Sequence, residues 1–148
     1  MYAQGTVVSV EKSKAEIERL IAKAKCTQFM IGSDQENHRA RVQFKAHNRI
    51  IRFEIGLPER AKFYGRRGEE QYAAAARQKW RALVLVIKAK LEAVSSQITT
   101  FEDEFMAHIV MPNDRTVAEI VTPLVTAAYE QGQMPRGLLA PGAADEAR

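Results

Sequence analysis

Between Arg39 and Ile55 the chain alternates. Ala40, Val42, Phe44 and Ala46 interleave with Arg39, Arg41, Gln43 and Lys45, and Ile51, Phe53 and Ile55 interleave with Arg52 and Glu54. A period of two belongs to strands with one packed face and one wet face. "RARVQFKAHNRIIRFEIGLPE" therefore predicts a hairpin turning at His47-Asn48. "CTQFMIGSD" predicts a strand before it, entering a turn at Gly32-Ser33-Asp34. "TVVSV", rich in β-branched residues, predicts a short strand at residues 6–10.

Elsewhere the period is helical. In "SKAEIERLIAKAK", Ile17, Leu20, Ile21 and Ala24 form one stripe, and Ser13 with Glu16 fits a capping box. Residues 69–93 predict a long helix, opened by Glu69 and Glu70 where the dipole favours acids. Ala76, Trp80, Leu83, Val84, Ile87, Leu91 and Val94 share one face of it, which makes Trp80 a core or interface residue. Arg77, Arg81 and Lys88 form a row on one flank, with Lys79 and Lys90 on the other. The far side carries Ala82, Leu85, Val86, Ala89 and Ala93, so the helix suits a central position or a contact with a second subunit.

Two shorter helices follow. Thr100 and Asp103 fit a capping box ahead of Phe105, Met106 and Ile109. Thr116 and Glu119 fit another, ahead of a broad stripe of Val117, Ile120, Val121, Leu124, Val125, Ala128 and Tyr129. Pro123 lies inside this stripe and Gly132 is placed to cap its end. The expected architecture is α+β: a small antiparallel sheet with an N-terminal helix, followed by a helical half containing one long central helix. Residues 1–136 are expected to form a single domain, and residues 137–148, rich in Gly, Pro and Ala, a flexible tail.

The 148 residues suit one core of moderate size, and 46% hydrophobic with 27% charged residues is ordinary for a globular protein. No basic-then-apolar leader and no long apolar run is visible, so a signal peptide and a membrane span are not expected and a cytoplasmic location is. Cys26 is the only cysteine, which excludes an internal disulfide and a cysteine-rich zinc site.

Charge changes the picture more. Residues 60–90 carry nine Lys/Arg against two Asp/Glu, whereas residues 91–148 carry three against nine. Arg60, Lys62, Arg66 and Arg67 lie on a connection rich in Gly and Pro; Arg77, Lys79, Arg81 and Lys88 lie on the long helix. These eight are the candidate phosphate contacts. Arg39, Arg41, Lys45 and Arg52 make a secondary basic face on the sheet, with Glu54 as counter-charge. Phe44 and Phe53 fall on the inner face, so that sheet lacks the aromatic platform on which single strands stack. The basic band is equally suited to an acidic protein, or to the acidic C-terminal third of this chain.

Catalytic chemistry has little to stand on. His38, His47 and His108 are far apart in sequence; Glu104 and His108, four residues apart, read as a helix-surface ion pair rather than a metal site. Glu102-Asp103-Glu104 reads as a helix start, Cys26 has no identifiable base, and "GRRG" lacks the Lys-Ser/Thr ending of a phosphate loop. No catalytic residue, metal or cofactor is expected. The favoured function is non-catalytic binding of nucleic acid, single-stranded or nonspecific, in a homo-oligomer held by the long helix. The alternative is a protein-binding inhibitor or adaptor.

The layout "EKSKAEIERLI", "RFEIGLPE", "QKWRALVLVIKAKLEAV" and "TTFEDEFMAHIVMPN" with "TVAEIV" resembles a group of small bacteriophage and prophage proteins. The resemblance spans most of the chain and supplies no catalytic residues. It implies a role in phage DNA metabolism or in inhibiting a host defence complex, hence a host or phage protein as partner.

Overall fold

In a computed structural model, which describes residues 3–135, three strands form one antiparallel sheet in the order β1 (Gln28–Asp34), β2 (Arg39–Ala46), β3 (Arg49–Gly56). The alternation sets the register: Phe44 lies opposite Phe29 and Ile51, and Val42 opposite Ile31 and Phe53. His47 and Asn48 make the β2–β3 turn with φ of 50° and 60°. Positive φ at both central residues is what a tight hairpin turn requires.

Helix α1 (Val10–Lys23) precedes the sheet, and α2 (Gly68–Ser95) follows a connection containing a single 3₁₀ turn, Arg60–Lys62. α3 (Phe101–Phe105) and α4 (Val117–Gln131) follow among the described residues. The expected α+β order is thus present, with α2 as the long central helix. Residues 137–148, the expected tail, lie outside the described residues.

The core forms where these stripes meet. Ile17 and Ile21 of α1 and Trp80, Leu83, Val84 and Ile87 of α2 pack with the inner sheet face, Ala40, Val42, Phe44, Ala46, Ile51 and Phe53. Phe105 of α3 meets Phe44 and Phe53 edge-on, each at 6.2 Å between ring centroids, and stacks on Phe101 at 4.6 Å. Edge-on aromatic contacts at this separation are favourable beyond the area they bury.

Caps and ends hold one correction. Thr100 accepts from the Asp103 amide, Thr116 accepts from the Glu119 amide, and Gly132 ends α4 at φ 64°, as their spacing predicts. α1, however, starts a turn earlier than expected. Ser9 is its cap, accepting from the Lys12 amide, and Ser13 lies buried inside the helix. Consequently "TVVSV" is not a strand: its residues lead into the cap and Val10 opens the helix. β propensity there has no neighbouring strand to pair with, so it loses to the helix N-terminus.

Beyond α3 the chain extends the sheet by two bridges, Ile51 with Ile109 and Val110 with Thr116. α4 follows, joined to the body through Val117, which packs against the core and donates to the Ile109 carbonyl. None of its residues is buried, although its apolar stripe is broad. Among the described residues, no helix is long and apolar enough to cross a membrane.

Candidate nucleic-acid interface

α1 and α2 run side by side in the same direction, and the predicted cation row of α2 lies along their junction. The Arg77 Nε donates to the Thr6 carbonyl at 3.5 Å, just before α1. The Arg81 guanidinium donates to Glu16 at 2.6 Å, with both side chains about three-quarters covered. Further along, Lys88 of α2 and Lys23 of α1 line one cleft of about 390 Å³. Leu20, Leu91, Val94 and Phe101 also line it, and His47 stacks on Phe101 at 4.4 Å.

Glu16 lies on one α1 flank beside α2, and Lys14, on the other, lies 4.9 Å over the Trp80 ring of α2. Lys12, Glu16, Arg19 and Lys23 follow the i, i+4, i+7, i+11 spacing of one helix face. Lys12, Arg19 and Lys23 are exposed, and Lys23 shares the cleft with Lys88 of α2. Each row spans eleven residue steps, about 16 Å at 1.5 Å per residue. The acids on this junction are Glu16, which is spent on Arg81, and Glu92 at its far end. Sequence reasoning missed the α1 row. Its signal was the spacing just given, hidden by the three glutamates interspersed in "EKSKAEIERLIAK".

The other predicted cations are not gathered here. Arg60 pairs closely with Glu69 and lies 4.8 Å over the Tyr72 ring. Lys62 pairs with Glu59 at 3.2 Å and Arg67 with Glu70 at 3.6 Å. The glutamates at the start of α2 thus neutralise much of the loop before it. Arg66 and Lys79 are exposed and have no ion pair among the described residues. Lys90 leans to the other side, over α3, where it donates to the Glu104 carbonyl at 3.2 Å and to its carboxylate at 3.4 Å.

The secondary sheet face is internally paired. Arg41 bonds Glu54 at 2.5 Å and Arg39 faces Asp34 at 3.6 Å. Hydrogen bonds from Asn37, together with Arg39, hold the Asp34 carboxyl below the usual carboxylate range. Arg52 is only 5% exposed and cannot serve as an open phosphate contact. The loop carrying Asp114 folds over it, a long-range contact that alternation cannot reveal. Lys45 alone of the four has no ion pair among the described residues.

One chemical expectation is corrected by geometry. Glu104 does not pair with His108. It bonds Lys90 instead, and the His108 ring stacks on Phe53 at 4.1 Å. Burial, then the charge of Lys90, pushes the His108 pKa below its ordinary value. Among the described residues no group of three His, Cys, Asp or Glu is placed to hold a metal ion.

No protein-family model matches this chain, no curated protein matches it, and no solved structure matches it.

Proposed function

We propose that this protein binds nucleic acid through the phosphate backbone, without sequence preference, along the α1–α2 junction. The observation that carries the reading is the pair of cation rows, Lys12, Arg19 and Lys23 on α1 and Arg77 and Lys88 on α2, with Arg81 held between them by Glu16. Such rows attract phosphates by charge and counterion release, and carry no base readout. Phage DNA metabolism, the setting implied by the resemblance, is compatible with that chemistry.

The test is fluorescence anisotropy with labelled single- and double-stranded oligonucleotides over a salt series. Four phosphate contacts on a single strand give a slope of log K against log salt of about −3. Lys23→Glu with Lys88→Glu, both exposed and free of ion pairs among the described residues, lowers affinity by at least tenfold and flattens the slope. Arg66→Glu with Arg67→Glu changes it far less. Absence of binding at low salt, or equal binding by the Lys23/Lys88 variant, sinks the assignment.

A second reading rests on a separate observation. An apolar cleft of about 560 Å³ lies between α4 and the preceding segment, lined by Met106, Ile109, Met111, Val117, Ile120 and Val121. Tyr129 further along α4 is 87% exposed. Apolar surface of this kind suits a protein partner, as an inhibitor or adaptor requires. Co-purification that survives nuclease treatment and is lost in Val121→Asp supports this reading. An unchanged partner set in that variant refutes it.

A further inference from the structure

The two edges of the sheet are treated differently. The outer edge of β3 is covered at its start: the Val110 amide donates to the Ile50 carbonyl at 2.8 Å, and Ile109 bridges Ile51. The outer edge of β1 has no backbone partner among the described residues. β1, "QFMIGSD", also lacks the guards that keep edges from pairing, since it has no Lys, Arg or Pro. Its inward residues Phe29 and Ile31 pack beside Phe44 and Val42 yet remain only half-buried.

Gly32 sharpens the point. Glycine weakens a strand and needs a local reason. A Cβ built there meets nothing within 4 Å, so this chain's own packing does not require the glycine. It instead borders a shallow depression of about 250 Å³, walled by Arg41 and Glu54. Two residues earlier and on the same face, Met30 stands 51% exposed. The strand therefore carries a knob and a hole, two positions apart.

We propose that two copies of this chain pair through β1, antiparallel about a two-fold axis at Ile31. That register aligns the whole strand and sets Met30 of each copy opposite Gly32 of the other, so both knobs fill both holes. It keeps Phe29 and Ile31 on the core face, where Phe29 lies opposite the second copy's Ser33 and Ile31 meets its own mate. Asp34 lies opposite the second copy's Gln28, whose cross-strand neighbour Lys45 is the unpaired cation of that face. A heterologous strand would satisfy the edge but not this reciprocity, which is the property of an isologous contact. The result is a continuous six-stranded sheet. A seven-residue edge spans about 23 Å, a small interface, so the dimer is weak and forms only at raised concentration. In this proposal self-association uses β1 rather than the long helix.

Sedimentation velocity over a hundredfold concentration range, with thermal melting alongside, tests the proposal. The parent protein shifts from monomer to dimer, and Met30→Lys stays monomeric. Gly32→Thr is the decisive variant. It adds a β-branched side chain into space that is open in one copy, so the fold melts no earlier than the parent's at low concentration, yet the dimer is lost at least tenfold. A parent that remains monomeric at the highest concentration overturns the proposal. So does a Gly32→Thr protein that dimerises as the parent does, since association would then use another surface. A Gly32→Thr protein that fails to fold contradicts the open space on which the inference rests, while Met30→Lys still reports on pairing.

Discussion

Arg52 of β3 and Asp114, sixty-two positions later, are joined by two hydrogen bonds: the guanidinium donates to the Asp114 carbonyl at 2.8 Å and to its carboxylate at 2.5 Å. Arg52 also donates to Gln43 at 3.1 Å. Its side chain is 5% exposed while that of Asp114 is 80% exposed, so one end of the pair is desolvated and the other is wet. Arg52→Met keeps the stem and removes these bonds. It is expected to lower unfolding free energy by about 2 kcal/mol in urea titrations. Asp114→Asn, which tolerates the left-handed backbone at φ 63°, is expected to cost less. Arg52 holds the Asp114 carboxyl below the usual carboxylate range. The charged pair therefore contributes above the ordinary value of 3.8 and is lost only as pH falls through the lower, folded one.

The two serines of α1 are expected to respond in opposite directions. Ser9 caps the helix, and Ser9→Ala should destabilise by about 1 kcal/mol. Ser13 is fully buried, and its hydroxyl has no partner among the described residues. Ser13→Ala removes an unsatisfied group and adds helix propensity, so it should raise the melting temperature, by a free energy of about 1 kcal/mol. If Ser13→Ala is the more damaging of the two, the helix starts where the capping-box spacing first suggested.

Acidification is expected to weaken the fold through His108. Its folded pKa is lowered, chiefly by burial, so the unfolded chain binds the proton better. Stability is retained above the ordinary value of 6.5 and declines as pH falls from there to the folded value. His108→Phe, which preserves the stack on Phe53, should flatten the dependence of melting temperature on pH between about 7 and 5. An unchanged slope would remove His108 as its source.

Gly68 opens α2 against the backbone of Phe63. A Cβ there would sit 2.9 Å from both the Phe63 carbonyl carbon and oxygen. Alanine is ordinarily the better helix residue by about 1 kcal/mol. Here the clash with backbone reverses the sign, and Gly68→Ala should destabilise by about 1 kcal/mol. Circular dichroism melts decide between the two directions.

Much of this fold was readable residue by residue. The alternation in β2 and β3, the His47-Asn48 turn, the Trp80 face of α2, the Thr100 and Thr116 caps and the Gly132 stop are local rules, and local rules act within a few residues. The Arg77, Arg81 and Lys88 row was legible for the same reason. The rest depended on what came to lie beside each element. Tertiary contact decided that Arg52 would be buried by a distant loop, that Glu104 would bond Lys90 rather than His108, and that Lys23 of α1 would share a cleft with Lys88 of α2. It also left β1 open while covering the start of β3. Periodicity along a chain reports which side of an element is apolar, because that is a property of one helix or strand. Which charges become neighbours depends on how elements with no sequence proximity pack, and only the assembled core decides that.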